Sequence, residues 1–230
     1  MGLFFNMSSH HIVKEKQEPA LIIANGESCS LELMGQLLEW SPFVIVLDGA
    51  INRVIDLGIK IDVLFGDFDK VEFNQEEILK SQFPIEIIHA PNQNKTDLEK
   101  AIDFLIQRGF PAANILWATG KRADHTLANI SILPKYLHLI KLKIIDDHSC
   151  IFPILPFPHI YAKWYKSGTS VSLMPLGKTD GIVTENLKYP LINESLVLGY
   201  RNGNSNEVEF DGIVRIFYQN GDLLIMECTD

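Results

Sequence analysis

The sequence is poor in cysteine, and the three it has, Cys29, Cys150 and Cys228, lie far apart and form no CxxC pair. An odd, scattered set excludes a disulfide framework and a zinc ribbon, and it suits a reducing compartment in which all three are buried thiols. No apolar run reaches the roughly 18 to 20 residues of a membrane span, so no membrane partner is expected. The start, MGLFFNMSSHHIVKEKQE, has neither a basic n-region nor a long h-region, which leaves the cytoplasm as the expected location. Myristoylation is not expected, because Asn6 stands where that motif needs Ser or Thr. Excess positive charge is absent too: 20 Lys and Arg against 29 Asp and Glu give a net charge of -9. Such a surface repels nucleic-acid backbones and anionic lipid, so an anionic ligand needs local cations or a metal. Neither GxxxxGK[ST] nor GxGxxG occurs, which removes the P-loop and the dinucleotide fingerprint.

What is present is a chain of 230 residues, 47% of them hydrophobic, enough for one large domain or two smaller ones. The runs 19–24, 43–47, 63–65, 85–88, 115–118 and 142–145 read as short buried strands separated by helical spacing, as at Leu98, Ala101, Ile102 and Leu105. That alternation predicts βαβ units and an open, mostly parallel sheet with flanking helices. Past residue 150 the texture changes to clustered prolines and period-two alternation, which predicts a smaller all-β domain. The expected division is 1–149 and 150–230. Asn220-Gly221, between two alternating runs, predicts a hairpin over 214–226.

In an open parallel sheet, ligands bind beyond the carboxyl ends of the strands. Asp48 follows FVIVL, Asp67 and Asp69 follow VLF, and Thr119-Gly-Lys-Arg-Ala-Asp-His125 follows ILWA. In extended backbone Asp67 and Asp69 face the same way while Phe68 turns to the core. Two close carboxylates ask for a cation, and magnesium fits oxygen donors and phosphates. Thr96 and Glu99 form a capping box, which puts Asp97 in the first helical turn on the same rim. The glycine turn at 119–122, with Arg122 before a helix start near Asp124, makes an anion site. His125 is read as scaffold.

Taken in order, DGAIN at 48–52, GDFD at 66–69, NQNKTDLEKA at 92–101 and TGKRADHTLAN at 119–129 resemble thiamine pyrophosphokinases. The segments 171–176, 184–191 and 203–206 extend the resemblance through the second part. It implies a Rossmann-like nucleotide domain followed by a β-sandwich that contributes to the thiamine site. The reaction implied gives thiamine diphosphate and AMP from ATP and thiamine, in a homodimer with the active site at the subunit interface. Carried over residue by residue, it implies that Asp67, Asp69 and Asp97 hold Mg2+ and carry catalysis. Asp48, Gln93, Thr96, Arg122 and Asp124 would then position ATP, with Ser205 and Asn206 near thiamine or the nucleotide. Asp97 is the candidate base if one is needed, and Trp164, Tyr200 and Phe210 are candidate faces for the thiamine ring. The chain departs from the family pattern at Asn92 and Asn94, where acidic residues are usual, and at Ala50 and Asn186, where glycine is usual. Three alternatives stand beside this reading: a pyrophosphokinase acting on a hydroxymethylpterin, a non-catalytic nucleotide sensor, and a magnesium phosphohydrolase.

Overall fold

The computed structural model describes residues 19–68, 78, 80–91 and 94–229. Asp69, Asn92 and Gln93 lie outside the described residues. The chain divides into two compact units, Met1–Thr126 with Leu139–Lys141, and Leu127–His138 with Leu142–Asp230.

The first unit is built on strands β1 (Ala20–Ile23), β2 (Val44–Leu47), β3 (Val63–Gly66), β4 (Glu86–His89) and β5 (Ala112–Leu116). They run parallel in the order β5-β1-β2-β3-β4. Every residue of β1, β2 and β3 is buried, as expected for a parallel sheet covered on both faces. Helices α1 (Leu31–Leu38), α2 (Ile51–Asp56) and α3 (Asp97–Gln107) join the strands, followed by α4 (Ala123–Ser131). On α3 the buried residues are Leu98, Ala101, Ile102 and Leu105, the spacing of one helical face.

Two strands depart from the sequence reading. The run 85–88, expected to be buried, forms β4, whose pattern is exposed at both ends because it ends the described sheet order and has a neighbour on one side only. The run 142–145 belongs to β6 (Lys141–Ile145), which alternates between exposed and buried residues and pairs antiparallel with β7 (Ser149–Ile154).

The second unit is a β-sandwich. One sheet has β6, β7, β14 (Leu223–Cys228), β9 (Ser170–Pro175) and β12 (Gly203–Glu207); the other has β11 (Ile192–Val197), β10 (Lys178–Glu185), β13 (Gly212–Phe217) and β8 (Tyr161–Tyr165). Their inner faces share a core that includes Phe152, Val171, Leu173, Ile182, Leu196, Val214, Ile216 and Ile225. The expected architecture, an open parallel sheet with helices followed by a sandwich, is thus the one observed.

The hairpin over 214–226 is not. β13 and β14 lie in different sheets, so Asn220-Gly221 carries the chain across the sandwich. Asn220 bridges to Asp180 at the start of β10, and Gly221 has φ +96°, with room for no Cβ because Lys178 O would lie 2.2 Å away. Alternation and an Asn-Gly pair fit both geometries, because both need a tight reversal between half-buried strands. The thiols also differ from expectation: Cys29, Cys150 and Cys228 are only partly buried.

Candidate active site

The carboxyl ends of β2 and β3 bring the first acidic residues together. Asp48 opens a short 3-10 turn directly after β2. Its Oδ1 accepts from the Gly49 N–H at 2.6 Å and its Oδ2 from the Phe68 N–H at 3.0 Å, which ties the end of β2 to the loop after β3. Gly66 makes the second contact possible: a Cβ there would lie 2.4 Å from the Asp48 carboxyl carbon. Burial raises the Asp48 carboxyl above its ordinary range against the two backbone N–H bonds, and the charges of Asp97 and Asp67 raise it further. Asp48 thus feels the charges of two other expected carboxylates.

Asp67 follows β3 and is half-buried, and its backbone carbonyl accepts from His89 Nε2 at 3.1 Å. The extended geometry expected through Phe68 does not occur. Phe68 has φ +59°, so alternation ends at Asp67, and its ring stacks on His89 with centroids 6.0 Å apart instead of entering the core.

Asp97 is the first residue of α3, behind the capping box that the sequence predicts: Thr96 Oγ1 accepts from the Glu99 N–H at 3.2 Å, and Glu99 Oε2 accepts from the Thr96 N–H at 3.0 Å. Thr96 is therefore engaged as a cap. Asp97 Oδ1 accepts from Lys100 Nζ at 2.9 Å, and the same ammonium donates to Ala90 O at 2.7 Å. Lys100 went unnoticed in the sequence, although the i,i+3 spacing from Asp97 is a readable signal. Among the described residues no three His, Cys, Asp or Glu side chains cluster as a metal site.

On the other side of the rim, β5 ends in a strained turn. Trp117, Gly120 and Lys121 all have positive φ, and Gly120 must be small because a Cβ would meet the Glu27 side chain at 2.5 Å. Arg122 follows, exposed, and forks onto Asp124 through Nε at 3.0 Å and a terminal nitrogen. The fork that the sequence assigns to a phosphate is thus closed on a neighbour, which holds the Asp124 carboxyl down at about 2. The Asp124 Oδ1 also accepts from the His125 N–H at 2.9 Å.

A further feature of the first unit had no sequence reading. Arg53, on α2 directly after DGAIN, donates to Asn25 Oδ1 at 2.8 Å, Gly26 O at 3.1 Å and Ser28 Oγ at 2.8 Å, and lies over the Trp117 ring, 4.4 Å from its centroid. A cation so soon after an acidic turn was the available signal.

In the second unit, Asn206 is 6% exposed and both ends of its amide are engaged: Oδ1 accepts from the N–H groups of Tyr189 and Glu207, and Nδ2 donates to Tyr189 O. Ser205 is exposed with φ +56°, and its N–H donates to Ser172 Oγ at 2.9 Å. Trp164, Tyr200 and Phe210 are all exposed. Asn186 has φ +62°, a conformation that glycine adopts without strain and Asn tolerates, and its amide holds both the N–H and the carbonyl of Phe210.

Family models match the two parts of the chain in order: the catalytic domain of thiamin pyrophosphokinase over residues 34–145, and its vitamin B1 binding domain over residues 159–221. The thiamine pyrophosphokinase of Bacillus subtilis (strain 168) is 27% identical over 212 residues, which is 91% of this chain and 98% of that protein. Thiamine pyrophosphokinase 1 of Oryza sativa subsp. japonica is 29% identical over 188 residues, 70% of each chain. The crystal structure of the Bacillus subtilis enzyme superposes with a TM-score of 0.77 over 92% of this chain and 99% of that one. Yeast thiamin pyrophosphokinase, at 17% identity and a TM-score of 0.79 over 92% of this chain and 86% of that one, shares the fold. With both domain models matched in sequence, this chain belongs to the thiamine pyrophosphokinase family.

Proposed function

We propose that this protein transfers a diphosphate group from ATP to the hydroxyethyl oxygen of thiamine, giving thiamine diphosphate and AMP. In that step the thiamine oxygen forms a bond to the β-phosphorus, and the bond from that phosphorus to the oxygen bridging the α-phosphate breaks. Most of the catalysis in such a transfer is alignment and charge neutralisation. The observation that carries the reading is that both domain models of the family match this chain in order, with Asp48 bonded to the loop after β3 and within the influence of Asp67 and Asp97. The alternative acceptor, the sensor and the phosphohydrolase have no comparable support, since the second domain model is a vitamin B1 binding domain.

The residue roles follow from local chemistry. Asp67, Asp69 and Asp97 would hold magnesium, which when bound neutralises the phosphate oxygens; carboxylate oxygens suit it. Asp48 acts through the backbone, fixing the Asp67 loop by its bond to Phe68 N–H. Arg122 opens its fork from Asp124 to take a phosphate, Lys100 orients Asp97, and Gln93 contacts ATP. Residues 1–149 serve as the ATP-binding part and 150–230 as the part that contributes to the thiamine site. There Ser205 contacts ligand, while Asn206 positions it by holding Tyr189.

The assembly is a homodimer with the site at the subunit interface. On the outer face of the four-stranded sheet Trp164 lies opposite Ile213, both exposed, and Ile192 is exposed on the same face. A second copy would cover these side chains. The location proposed is the cytoplasm, in keeping with three scattered cysteines; among the described residues no helix is long and apolar enough to cross a membrane.

The test is incubation with ATP, magnesium and thiamine beside a control without thiamine. Thiamine-dependent AMP matched by thiamine diphosphate is expected. AMP formed only with a hydroxymethylpterin, or phosphate released with no acceptor, would replace this reading with one of the alternatives.

A further inference from the structure

Arg53 is a half-buried cation whose acceptors are all neutral: an amide oxygen, a carbonyl and a hydroxyl. Its closest carboxylate influence is Glu27, which acts at a distance without an ion pair among the described residues. Burial presses the guanidinium's pKa down, yet arginine keeps its proton at any working pH, so the charge stays. Keeping an uncompensated charge half out of water is costly unless an anion completes it.

Its position suggests where that anion comes from. Three segments of the rim meet at this guanidinium. The first is the loop after β1, residues 25–28, which supplies all three acceptors. The second is the segment 48–53, where Gly49 leaves space for Asn25: a Cβ there would lie 2.2 Å from Asn25 Nδ2. The third is the turn after β5. Trp117 beneath the guanidinium is 1% exposed with φ +56°, an uncommon backbone for so large a side chain, and its indole Nε1 has no partner among the described residues. The turn is bonded to the first loop by Gly26 N–H to Trp117 O at 2.5 Å, by Glu27 N–H to Thr119 O at 2.8 Å, and by Lys121 Nζ to Asn25 O at 3.4 Å. Strain held in place by a cation over the ring marks a prearranged site. Among the described residues, the Nε–H and one terminal N–H of Arg53 have no partner, so donors remain for a ligand.

We infer that Arg53, held over the Trp117 ring, binds the phosphates of the nucleoside triphosphate through its charge, as a second cation in addition to Arg122. This rests on the proposed reading that ATP is the donor. The plainer role, a clamp that only shapes the loop at 25–28, makes different predictions.

Calorimetric titration with α,β-methylene ATP, which cannot undergo the transfer, separates the two when run beside adenosine, which lacks phosphate. Arg53→Gln should weaken the ATP analogue roughly 10- to 100-fold, the range of a lost charge-assisted hydrogen bond, and leave adenosine within about twofold. Arg53→Lys keeps the charge and should bind the analogue within about fivefold of the unsubstituted protein. Equal weakening of analogue and adenosine, or no weakening of either, would overturn the inference in favour of the clamp. If Arg53→Gln does not fold, Arg53→Lys decides alone by the same two ligands, since a pure clamp would lose both together. Binding by the unsubstituted protein is the control for the underlying reading: if it binds no analogue at all, that reading and this inference fall together.

Discussion

Asp48 and Asp124 stand on two sides of the same rim and are held in opposite ways. Asp48 is half-buried, gripped by two backbone N–H groups, and raised by burial and by its acidic neighbours. Asp124 is exposed, gripped by a side chain two residues away, and held down at about 2. The first is part of the backbone's own design, since Gly66 and the turns after β2 and β3 leave it one place to be. The second is a surface pair in high dielectric, which contributes little to stability and is free to exchange partners. One side of the rim is preset, and the other is held only by an exchangeable surface pair.

The comparison can be broken most sharply on the preset side. Asp67→Asn should lower turnover by about 100-fold or more while circular dichroism and melting temperature stay close to those of the parent, because the change removes charge and little volume. Near-normal turnover in a folded variant would remove Asp67 from the site. Gly66→Ala is next: its methyl overlaps the Asp48 carboxyl, and we expect about 1–3 kcal/mol of lost stability with a tenfold or greater loss of turnover. Denaturant titration and steady-state kinetics read both, and an unperturbed variant would show that Asp48 is not fixed by that contact.

On the exchangeable side the effects shrink. Asp124→Asn frees Arg122 from its fork, so the KM for ATP should change by only about twofold to fivefold, with the melting temperature unaltered. A change as large as that of Asp67→Asn would make the pair part of the preset frame.

The smallest effect is the most diagnostic. Carbon-detected NMR titration should place the Asp48 carboxyl above its ordinary 3.8 and that of Asp124 near 2. The linkage signs are opposite. A raised carboxyl favours the folded state below its unfolded value, and Asp48 loses that contribution as pH rises through its folded value. Asp124 contributes above 3.8 and loses its share as pH falls toward about 2. Matching titrations for the two groups would erase the contrast.

Much of this was legible in the sequence, for stated reasons. Continuous apolar runs gave β1, β2 and β3, because a strand covered on both faces needs no polar positions. Thr96 and Glu99 gave the start of α3, because capping is local chemistry. The less legible features depend on distant partners. The role of Gly66 lies in a carboxylate 18 positions earlier, and that of Arg53 in acceptors on the loop at 25–28 and a ring at 117. Asn220-Gly221 signals a reversal without saying which sheet receives the chain. The sequence assigns the Arg122 fork to a phosphate, and in this structure the fork is on Asp124, two residues away, which the sequence does not single out as its partner.

The most direct test of the central claim follows the phosphates themselves, with ATP labelled at the γ-phosphate and thiamine in excess. The account predicts label in thiamine diphosphate, one AMP per product molecule and no ADP. ADP as the nucleotide product, or labelled inorganic phosphate formed without thiamine, would contradict it.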